Sequence, residues 1–532
     1  MPTGALEYHE RTKHSPRSVR EGSTGLNFDN KPRPYKAYVD LPSIPLAERI
    51  RPPQQPALSA IAEPTPDGDS RRGRDPDRET VTTLCYYAAG ITKAIELRNR
   101  TKLFRAAATT GALYHVDLYV VCGDLEGPGD GSSGDLDLDL EAGVYHFDPS
   151  TCSLDVLREG DHRRVLAAAS EYDAVAEAPL SIVATSTWWR NAWKYEARTV
   201  RHAFWDSGTT LANLLAVAHA LDYRAEVVAG FADRPVADLL GVDPEREAPL
   251  EIVPIGADAP VPSSAAADID PIDPATEPLS PNEREFPLIH EAWQAGTLED
   301  GAAAASWRAR GPTGNRTIGT RDPGDGERVP LEPVDPETAS SRPLHRTIRR
   351  RGSCREYERE PISFRQLSTV LDRAVRGVPM DVRGGGERSE TGADPPLSFV
   401  DPYLIVNGVD GLESGSYHYR PDAGELERLQ SGAFRREASH LALDQRLGGE
   451  AAVCVYFLTD LDELVDALGD RGYRAAQLEA ALTAGRLYLG TYAHRTLGGT
   501  GLTFYDDVVT DFFAPRAAGQ TPMFLYTIGR PA

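Results

Sequence analysis

The sequence lacks the features that define several large classes of protein. Its longest near-continuous apolar run, residues 211–221, is far shorter than the roughly 18 residues that a membrane-spanning helix needs. The first ten residues have no basic start and no apolar core, so we expect no secretory signal. Five cysteines without a CxxC pair exclude a zinc ribbon, and the absence of HExxH predicts no metal site. No GxGxxG directly follows a predicted strand, so a Rossmann domain is not supported. These absences predict a soluble, cytoplasmic protein.

Lysine is also scarce. Only six of the 57 basic residues are lysines, and 80 acidic residues bring the formal net charge to -23. Acidic, lysine-poor surfaces resemble those of proteins from salt-loving archaea, where dense salt screens the repulsion between carboxylates. The alternative is an ordinary acidic enzyme of biased composition. Either way, the negative field argues against nucleic acid as a partner.

What the sequence does contain is one long internal repeat. Gly-Val-Tyr-His-Phe-Asp-Pro at 143–149 returns as Gly-Ser-Tyr-His-Tyr-Arg-Pro at 415–421, and the strand-like segment 116–121 returns at 400–405. Further matches in the same order are Phe-Ala-Asp at 231–233 with Phe-Tyr-Asp at 504–506, and Asp206 with Glu479. We therefore predict two copies of one unit.

The repeat divides the chain into four parts. These are an N-terminal extension (1–49), domain 1 (50–256), a linker and loop region (257–345) and domain 2 (346–532). Residues 257–281 have the composition of a flexible tether. Residues 286–296 are predicted to form a short helix, and residues 311–336 a loop. The first copy carries an acidic, glycine-rich insertion at about 127–140.

Hydrophobic periodicity predicts helices beside a mainly antiparallel sheet in each copy, an α+β arrangement. The predicted helices are 80–93, 363–376 and the long, buried 200–221, and the predicted strands are 118–122, 251–255, 403–406 and 523–528, with a hairpin from 143.

A basic motif opens the second copy. Residues 350–357 read Arg-Arg-Gly-Ser-Cys-Arg-Glu-Tyr, which places guanidiniums at 351 and 355 on either side of a hydroxyl. Such a fork can hold a phosphate through charge-assisted bonds. The alternative is a solvated turn whose arginines pair with nearby acids.

This motif resembles the Arg-Arg-Ser-x-Arg-x-Phe opening of the nitroreductase family, and residues 105–114 are similar to the family's Arg-x-x-Pro-Ser-x-Gly-Ala-Leu-Tyr segment, with Ala108 in place of the proline. Residues 8–13 and 41–46 are similar to its SagB-type branch, which oxidises azoline rings in peptides. The resemblance implies two tandem nitroreductase-like α/β sandwich domains that bind flavin mononucleotide (FMN).

The two copies differ where the family binds its flavin. Residues 64–68, opposite the Arg351 motif, contain no Arg-Ser-x-Arg, and Pro-Pro-Leu-Ser at 395–398 replaces Gly-Ala-Leu-Tyr at 111–114. Because the family's flavin lies at a dimer interface, the resemblance implies an intramolecular pseudo-dimer with one competent flavin site. The expected phosphate ligands are Arg351, Ser353 and Arg355, and the expected ring contacts are Thr109, Thr110 and Gly111.

Two further segments complete the predicted site. Gly499, Thr500 and Gly501 follow the second long helix, where the family places main-chain amides near flavin N5; the alternative is a helix C-cap and turn. Lys194 and Tyr195, at the start of the first long helix, match a catalytic Lys-Tyr pair of azoline-oxidising relatives. A lysine acts as a base only when its pKa is lowered, and the alternative is a solvent-facing lysine beside a core tyrosine.

The leading functional prediction is an FMN-dependent dehydrogenase that oxidises azoline-type rings in a peptide or related small molecule. A cyclodehydratase-type protein is then the expected partner. The alternatives are an NAD(P)H-dependent reductase of nitro compounds or quinones, which needs no Lys-Tyr pair, and a flavin-free peptide-binding module.

Overall fold

The computed structural model describes residues 3–22, 25–46, 50–62, 75–97, 100–127, 139–262, 267–311, 317–322, 324–335, 342–382 and 398–532. Most of the predicted insertion at 127–140, the copy-one segment 64–68 and residues 395–397 of the compared Pro-Pro-Leu-Ser segment lie outside these residues. The helices are α1 (Ala5–Arg11), α2 (Pro16–Glu21), α3 (Ala57–Ala62), α4 (Arg78–Ala89), α5 (Arg163–Ser170), α6 (Asp173–Ala176), α7 (Trp188–Tyr195), α8 (Thr199–Ala220), α9 (Asp233–Leu240), α10 (Pro287–Ala295), α11 (Gly301–Arg308), α12 (Leu344–Arg350), α13 (Phe364–Ala374), α14 (Arg435–Leu441), α15 (Arg446–Glu450), α16 (Leu461–Leu468), α17 (Asp470–Ala493) and α18 (Asp506–Phe513).

Two large sheets share one strand order. The first sheet contains β1 (Ser43–Pro45), β4 (Val116–Cys122), β5 (Gly143–Asp148), β6 (Ser153–Glu159), β7 (Leu180–Thr187) and β8 (Glu247–Ile255). The second contains β9 (Arg328–Pro330), β11 (Asp401–Val406), β13 (Gly415–Arg420), β14 (Glu425–Ser431), β15 (Val453–Thr459), β16 (Gly498–Leu502) and β17 (Thr521–Gly529). The order β6-β5-β4-β7-β8 in the first sheet corresponds to β14-β13-β11-β15-β17 in the second. The strand pairs of both sheets are antiparallel, as the sequence predicts.

Two smaller strand pairs complete the described structure. The ribbon β2 (Ile91–Leu97) and β3 (Arg100–Arg105) is antiparallel, whereas β10 (Ile362–Ser363) and β12 (Val409–Asp410) pair in parallel. The ribbon corrects the prediction of a helix over 80–93, because α4 ends at Ala89. At Gly90 a Cβ would lie 2.6 Å from the Tyr86 carbonyl oxygen, and the chain turns there into β2.

The long helices α8 and α17 cross at the centre of the molecule. Nearly every residue of both helices is buried, as a helix with apolar residues on most faces requires. Each helix places a glycine against an alanine of the other: a Cβ on Gly208 would lie 2.7 Å from that of Ala481, and one on Gly485 would lie 2.5 Å from that of Ala212. The two glycines therefore allow the backbones to approach closely.

Ion clusters join the two halves at both ends of this crossing. Arg201 of α8 binds Asp506 at the start of α18, with Nη1 2.6 Å from Oδ1, and Arg198 lies 3.5 Å away. At the other end, Arg471 and Arg474 of α17 bind Asp233 at the start of α9, at 2.6 and 2.9 Å. Burial alone would raise the pKa of Asp506, but Arg198 and Arg201 hold it well below its usual range. Each half thus neutralises arginines of the other.

We expect Asp506→Asn to destabilise the protein by about 3–5 kcal/mol, because it leaves two buried guanidiniums without their anion. The control is Asp507→Asn, which removes only an ion pair with Lys13 in which the carboxylate is 67% exposed; such a pair contributes about 0–1 kcal/mol. Urea unfolding of the three proteins measures the difference. Equal losses in the two variants would contradict a structural role for the buried cluster.

The N-terminal extension, which the repeat leaves unexplained, packs across the junction of the halves. Tyr8 donates a 2.7 Å hydrogen bond to the Ala197 carbonyl of the first half. The neighbouring His9 contacts Tyr473 and Thr521 of the second half at 3.2 and 2.8 Å. Helix α1 therefore holds both halves at once.

Two predictions about the connecting region need correction. The described parts of 257–281 are docked rather than free: the Val261 amide donates to Ala176, and the Val39 amide of the extension donates to Ala275. Proline-rich segments have few donors of their own, but neighbouring backbone supplies partners here. The predicted loop 311–336 contains β9, which adds a strand to the edge of the second sheet beside β14. The limits of the two predicted domains stay predictions.

Among the described residues, none of the helices has the length and hydropathy that crossing a bilayer requires. In the same ranges, His, Cys, Asp and Glu side chains form no group of three that could hold a metal ion.

Candidate active site

Lys194 and Tyr195 end the short helix α7 instead of starting the long helix. The chain breaks after them because Glu196 has a φ of +50°, and α8 begins at Thr199. Lys194 is exposed, with Nζ 4.8 Å from the centre of the Tyr195 ring, and that ring packs edge-on against His202. The pair therefore lies near the surface, in the segment that joins α7 to the central helix α8.

The electrostatics of the two side chains differ. Partial burial, and secondly the guanidinium of Arg355, lower the pKa of Lys194. Burial, and secondly the Asp206 carboxylate, raise the pKa of Tyr195 well above its usual range, while Arg355 opposes this. Lys194 can therefore lose its proton more readily than an ordinary lysine, whereas Tyr195 remains a neutral phenol that can donate a hydrogen bond.

The loop 109–114 lies against Tyr195. Gly111 has a φ of +64°, and a Cβ there would lie 2.8 Å from the Tyr195 hydroxyl oxygen, so the close approach requires glycine. The amide and hydroxyl of Thr110 both donate to the carboxylate of Asp206 on α8. The buried hydroxyl of Thr109 has no hydrogen-bond partner among the described residues. An unpaired buried hydroxyl is costly unless something else binds it.

The Arg351 motif crosses from the second half to this loop. Arg351 Nε and Nη2 donate to the carbonyl oxygen of Ala106 at 3.0 and 2.9 Å, and Nη2 also donates to that of Arg105 at 3.0 Å. Part of the predicted phosphate fork is thus committed to holding the two halves together. The same guanidinium lies over the ring of Tyr488, 5.8 Å from its centre.

Arg355 and Ser353 are differently placed. Arg355 is exposed, and within the described part of the chain its guanidinium forms no hydrogen bond or ion pair. The Ser353 side chain is half-buried, and no described residue bonds its hydroxyl. Both remain available to a ligand.

The glycine-rich segment 498–501 is an edge strand, which excludes the alternative of a helix C-cap and turn. It forms β16, paired along β17, and a Cβ on Gly499 would collide with the Tyr526 hydroxyl. On the outer edge, the Gly499 carbonyl accepts the Cys354 amide at 3.0 Å, and the Gly501 amide donates to the Tyr488 hydroxyl at 2.6 Å. The buried Thr500 accepts Thr527 Oγ1 at its carbonyl. Contact of these amides with a flavin stays a prediction.

The structure thus brings Gly111, Lys194 and Tyr195 together, and the charge of Arg355 from the second half acts on both Lys194 and Tyr195. Arg351 and β16 meet at Tyr488, beside the loop that carries Thr109 and Thr110. Sequence reasoning missed Tyr488, and it noted Asp206 only as the counterpart of Glu479.

The corresponding edge of the first sheet is covered by protein. Val227 pairs there with the segment around Met380 of the second half, and the carboxylate of Asp381 accepts the amides of Ala229 and Gly230 at 2.8 and 3.0 Å. Arg308 lies 3.7 Å from that carboxylate. The two edges are therefore not equivalent.

One family model matches part of the chain. Residues 76–257 match the model described as "Nitroreductase family", and members of this family bind flavin. No curated protein matches the chain.

Solved structures extend the likeness over the whole chain. A protein of Anabaena variabilis, assigned as a nitroreductase, is 25% identical to this chain. The match covers 100% of each of the two chains, with a TM-score of 0.74. A protein of Ralstonia eutropha with the same assignment is 19% identical over 43% of this chain and 99% of its own, with a TM-score of 0.29. The Escherichia coli microcin synthetase McbBCD complex, solved with truncated pro-MccB17, is 18% identical over 48% and 87%, with a TM-score of 0.27. The last two TM-scores are too low to support an argument.

Proposed function

We propose that the chain is an FMN-dependent dehydrogenase with its flavin site at the junction of the halves. The observation that carries this proposal is the packing of Gly111 and Lys194 on Tyr195, beside the segment that Arg351 of the second half binds through the Ala106 carbonyl. Residues of both halves contribute to it, as a flavin site between two nitroreductase-like units requires. We further propose that these units are the tandem domains 50–256 and 346–532.

The residues present fit the cofactor. Arg355 and Ser353 offer unused donors for a phosphate, with Arg351 beside them. The orphaned Thr109 hydroxyl and the exposed Gly111 backbone suit the polar edge of an isoalloxazine ring. When bound, FMN would supply a hydride acceptor at its N5 atom.

The Lys-Tyr pair supports dehydrogenation over reduction. Aromatisation of an azoline ring removes a hydride and a proton from the substrate. Lys194 Nζ, with its lowered pKa, accepts the proton from the ring carbon, and the Tyr195 phenol donates a hydrogen bond that orients the ring. The proposed substrate is an azoline-containing peptide or related small molecule, and a cyclodehydratase-type protein would supply it.

Anaerobic mixing of the purified holoprotein with an azoline peptide or with NAD(P)H tests this assignment. We expect the peptide to bleach the flavin absorbance and the nicotinamide to leave it unchanged. Bleaching by NAD(P)H alone would favour the reductase, and a colourless protein that takes up no added FMN would favour the flavin-free binding module.

We expect one FMN per chain. The first-sheet edge that corresponds to β16 is covered by Asp381, whose carboxylate accepts the amides of Ala229 and Gly230, and by Arg308, which donates to the Gly230 carbonyl. Titration of apoprotein with FMN, followed by the quenching of flavin fluorescence, gives the stoichiometry. A value near two would contradict a single competent site.

The acidic, lysine-poor composition supports a further proposal, that the protein works in the cytoplasm at high salt.

A further inference from the structure

Asp206 lies at the base of the loop that faces Tyr195. It is 3% exposed, on the central helix α8, and its carboxylate accepts the Thr110 amide at 2.8 and 2.9 Å and the Thr110 hydroxyl at 2.7 Å. His115, at the far end of the loop, contacts the same carboxylate through Nε2 at 2.9 Å. One carboxylate therefore ties down both ends of the loop.

The His115 ring is itself fixed. Its Nδ1 lies 2.8 Å from the Ser186 hydroxyl of β7. Because the Asp206 carboxylate can only accept, Nε2 carries a proton and donates to it, while Nδ1 forms the hydrogen bond with Ser186. The chain Ser186–His115–Asp206–Thr110 thus connects the loop to the sheet and to the central helix.

The loop held in this way has an unfavourable backbone. Ala112 and Tyr114 have φ values of +54° and +53°, in the left-handed region that side-chain-bearing residues avoid. Such conformations persist only where surrounding contacts over-determine them, and they cluster at ligand-binding sites. The Asp206 bonds are among the contacts that hold the loop in this conformation, together with Arg190, whose Nη1 donates to the Tyr114 carbonyl at 2.8 Å.

We infer that Asp206 is a positioning residue, which presets the loop 109–114 for the flavin ring before the flavin binds. The inference rests on the proposed FMN site, and it changes the expected role of Thr110. The Thr110 hydroxyl donates to Asp206, whereas the buried Thr109 hydroxyl has no hydrogen-bond partner among the described residues, so Thr109 is the threonine that we expect to bond the ligand.

The second half offers a matched control. Glu479 of α17, the counterpart of Asp206, accepts the Ser398 hydroxyl and the Phe399 amide at 2.7 and 2.6 Å. Neither Ser398 nor Phe399 has a positive φ. The first-sheet edge that corresponds to β16 is covered by Asp381. Burial raises the pKa of Glu479 to about 7, so Glu479→Gln imitates a protonated state that this side chain reaches near neutrality.

The experiment compares apoprotein and holoprotein of the wild type, Asp206→Asn and Glu479→Gln. In apoprotein, hydrogen exchange should accelerate across residues 105–115 in Asp206→Asn alone. The Asn side chain would present its NH₂ group to the Thr110 and His115 donors and so release the loop, and FMN affinity should therefore fall about 10–100-fold. Riboflavin affinity should fall by the same factor, since the phosphate is not involved. The vibronic shape of the flavin absorption band should broaden in the same variant, and Asp206→Glu should restore part of the affinity.

Unchanged exchange in the apoprotein loop, or equal loss of FMN in Asp206→Asn and Glu479→Gln, would overturn the inference. If Asp206→Asn does not fold, Thr110→Val removes one of the same hydrogen bonds and should accelerate exchange at the loop; no acceleration would overturn the inference as well. A wild type that binds no FMN overturns the proposed function instead, and the exchange of the apoprotein still tests the positioning role.

Discussion

Replacing Lys194 by Ala should lower turnover of an azoline substrate by about 10²–10⁴-fold, the usual contribution of a positioned acid or base. FMN should stay bound, because the proposed phosphate ligands and the Gly111 loop do not depend on the Lys194 amine. Lys194→Arg should be equally slow, since it keeps the charge but cannot release a proton. Stopped-flow reduction of the flavin by substrate gives the rate.

Three controls separate the chemistry from structure. Lys93→Ala removes an exposed lysine of the same half and should leave the rate unchanged. Tyr195→Phe keeps the ring and its packing on His202, so a loss of rate in that variant reports the hydroxyl alone. Dithionite should reduce the flavin equally fast in every variant, because it bypasses substrate deprotonation.

The pH profile gives an independent check of the same residue. Lys194 acts as a base only when neutral, so the rate should rise with pH and level off above its pKa. Because partial burial and Arg355 lower that pKa, the rise should occur below the ordinary lysine range and move upward in Arg355→Ala. Parental turnover by Lys194→Ala would overturn the dehydrogenase mechanism and leave the reductase as the better assignment.

The double variant Arg351→Ala/Arg355→Ala should weaken FMN binding by about 10²–10⁴-fold, because each charge-assisted bond contributes about 1.5–3 kcal/mol. Riboflavin, which lacks the phosphate, should lose far less affinity. Fluorescence titration with both flavins measures the contrast, and Arg349→Ala, at an exposed arginine of α12 just before the motif, is the control.

The single variants should behave differently, since Arg351 is hydrogen-bonded to described residues and Arg355 is not. Arg355→Ala should reduce FMN affinity with no change in thermal midpoint. Arg351→Ala should also lower the midpoint, because the Arg105 and Ala106 carbonyls lose their donor. Full retention of FMN by the double variant through gel filtration would remove these arginines from the binding site.

Much of this fold can be predicted because the chain contains its own comparison. The recurrence of Gly-x-Tyr-His identified β5 and β13 as matching strands, and helical periodicity located α13 to within two residues at each end. The strand β16 could not be recognised from the sequence, since glycine has a low strand propensity. Gly499 is required there because a Cβ would collide with the Tyr526 side chain of the neighbouring strand. The break after α7 depends on a single left-handed residue, Glu196, which periodicity does not detect.

The site was predictable as a set of residues more than as a geometry. Motifs located Arg351, Gly111 and Lys194 in sequence, yet the hydrogen bonds of Arg351 to the Arg105–Ala106 backbone depend on how the halves meet. A usable signal was overlooked: Arg198, Arg201 and Asp206 recur as Arg471, Arg474 and Glu479 with the same spacing. Paired arginines at the start of two buried helices indicate anions on another element, and the recurring Asp233 and Asp506 supply them.

The link between Arg201 and Asp506 spans 305 residues of sequence, and this distance sets an order of assembly. During synthesis the first half emerges with its arginines still hydrated, and the aspartate that neutralises Arg201 follows 305 residues later. Helix α1 must also wait for Thr521 before its His9 is enclosed. A chain that stops before Asp506 would leave Arg198 and Arg201 without their carboxylate, in a groove open to solvent. Such an unfinished molecule would differ from a finished one in the surface that it exposes.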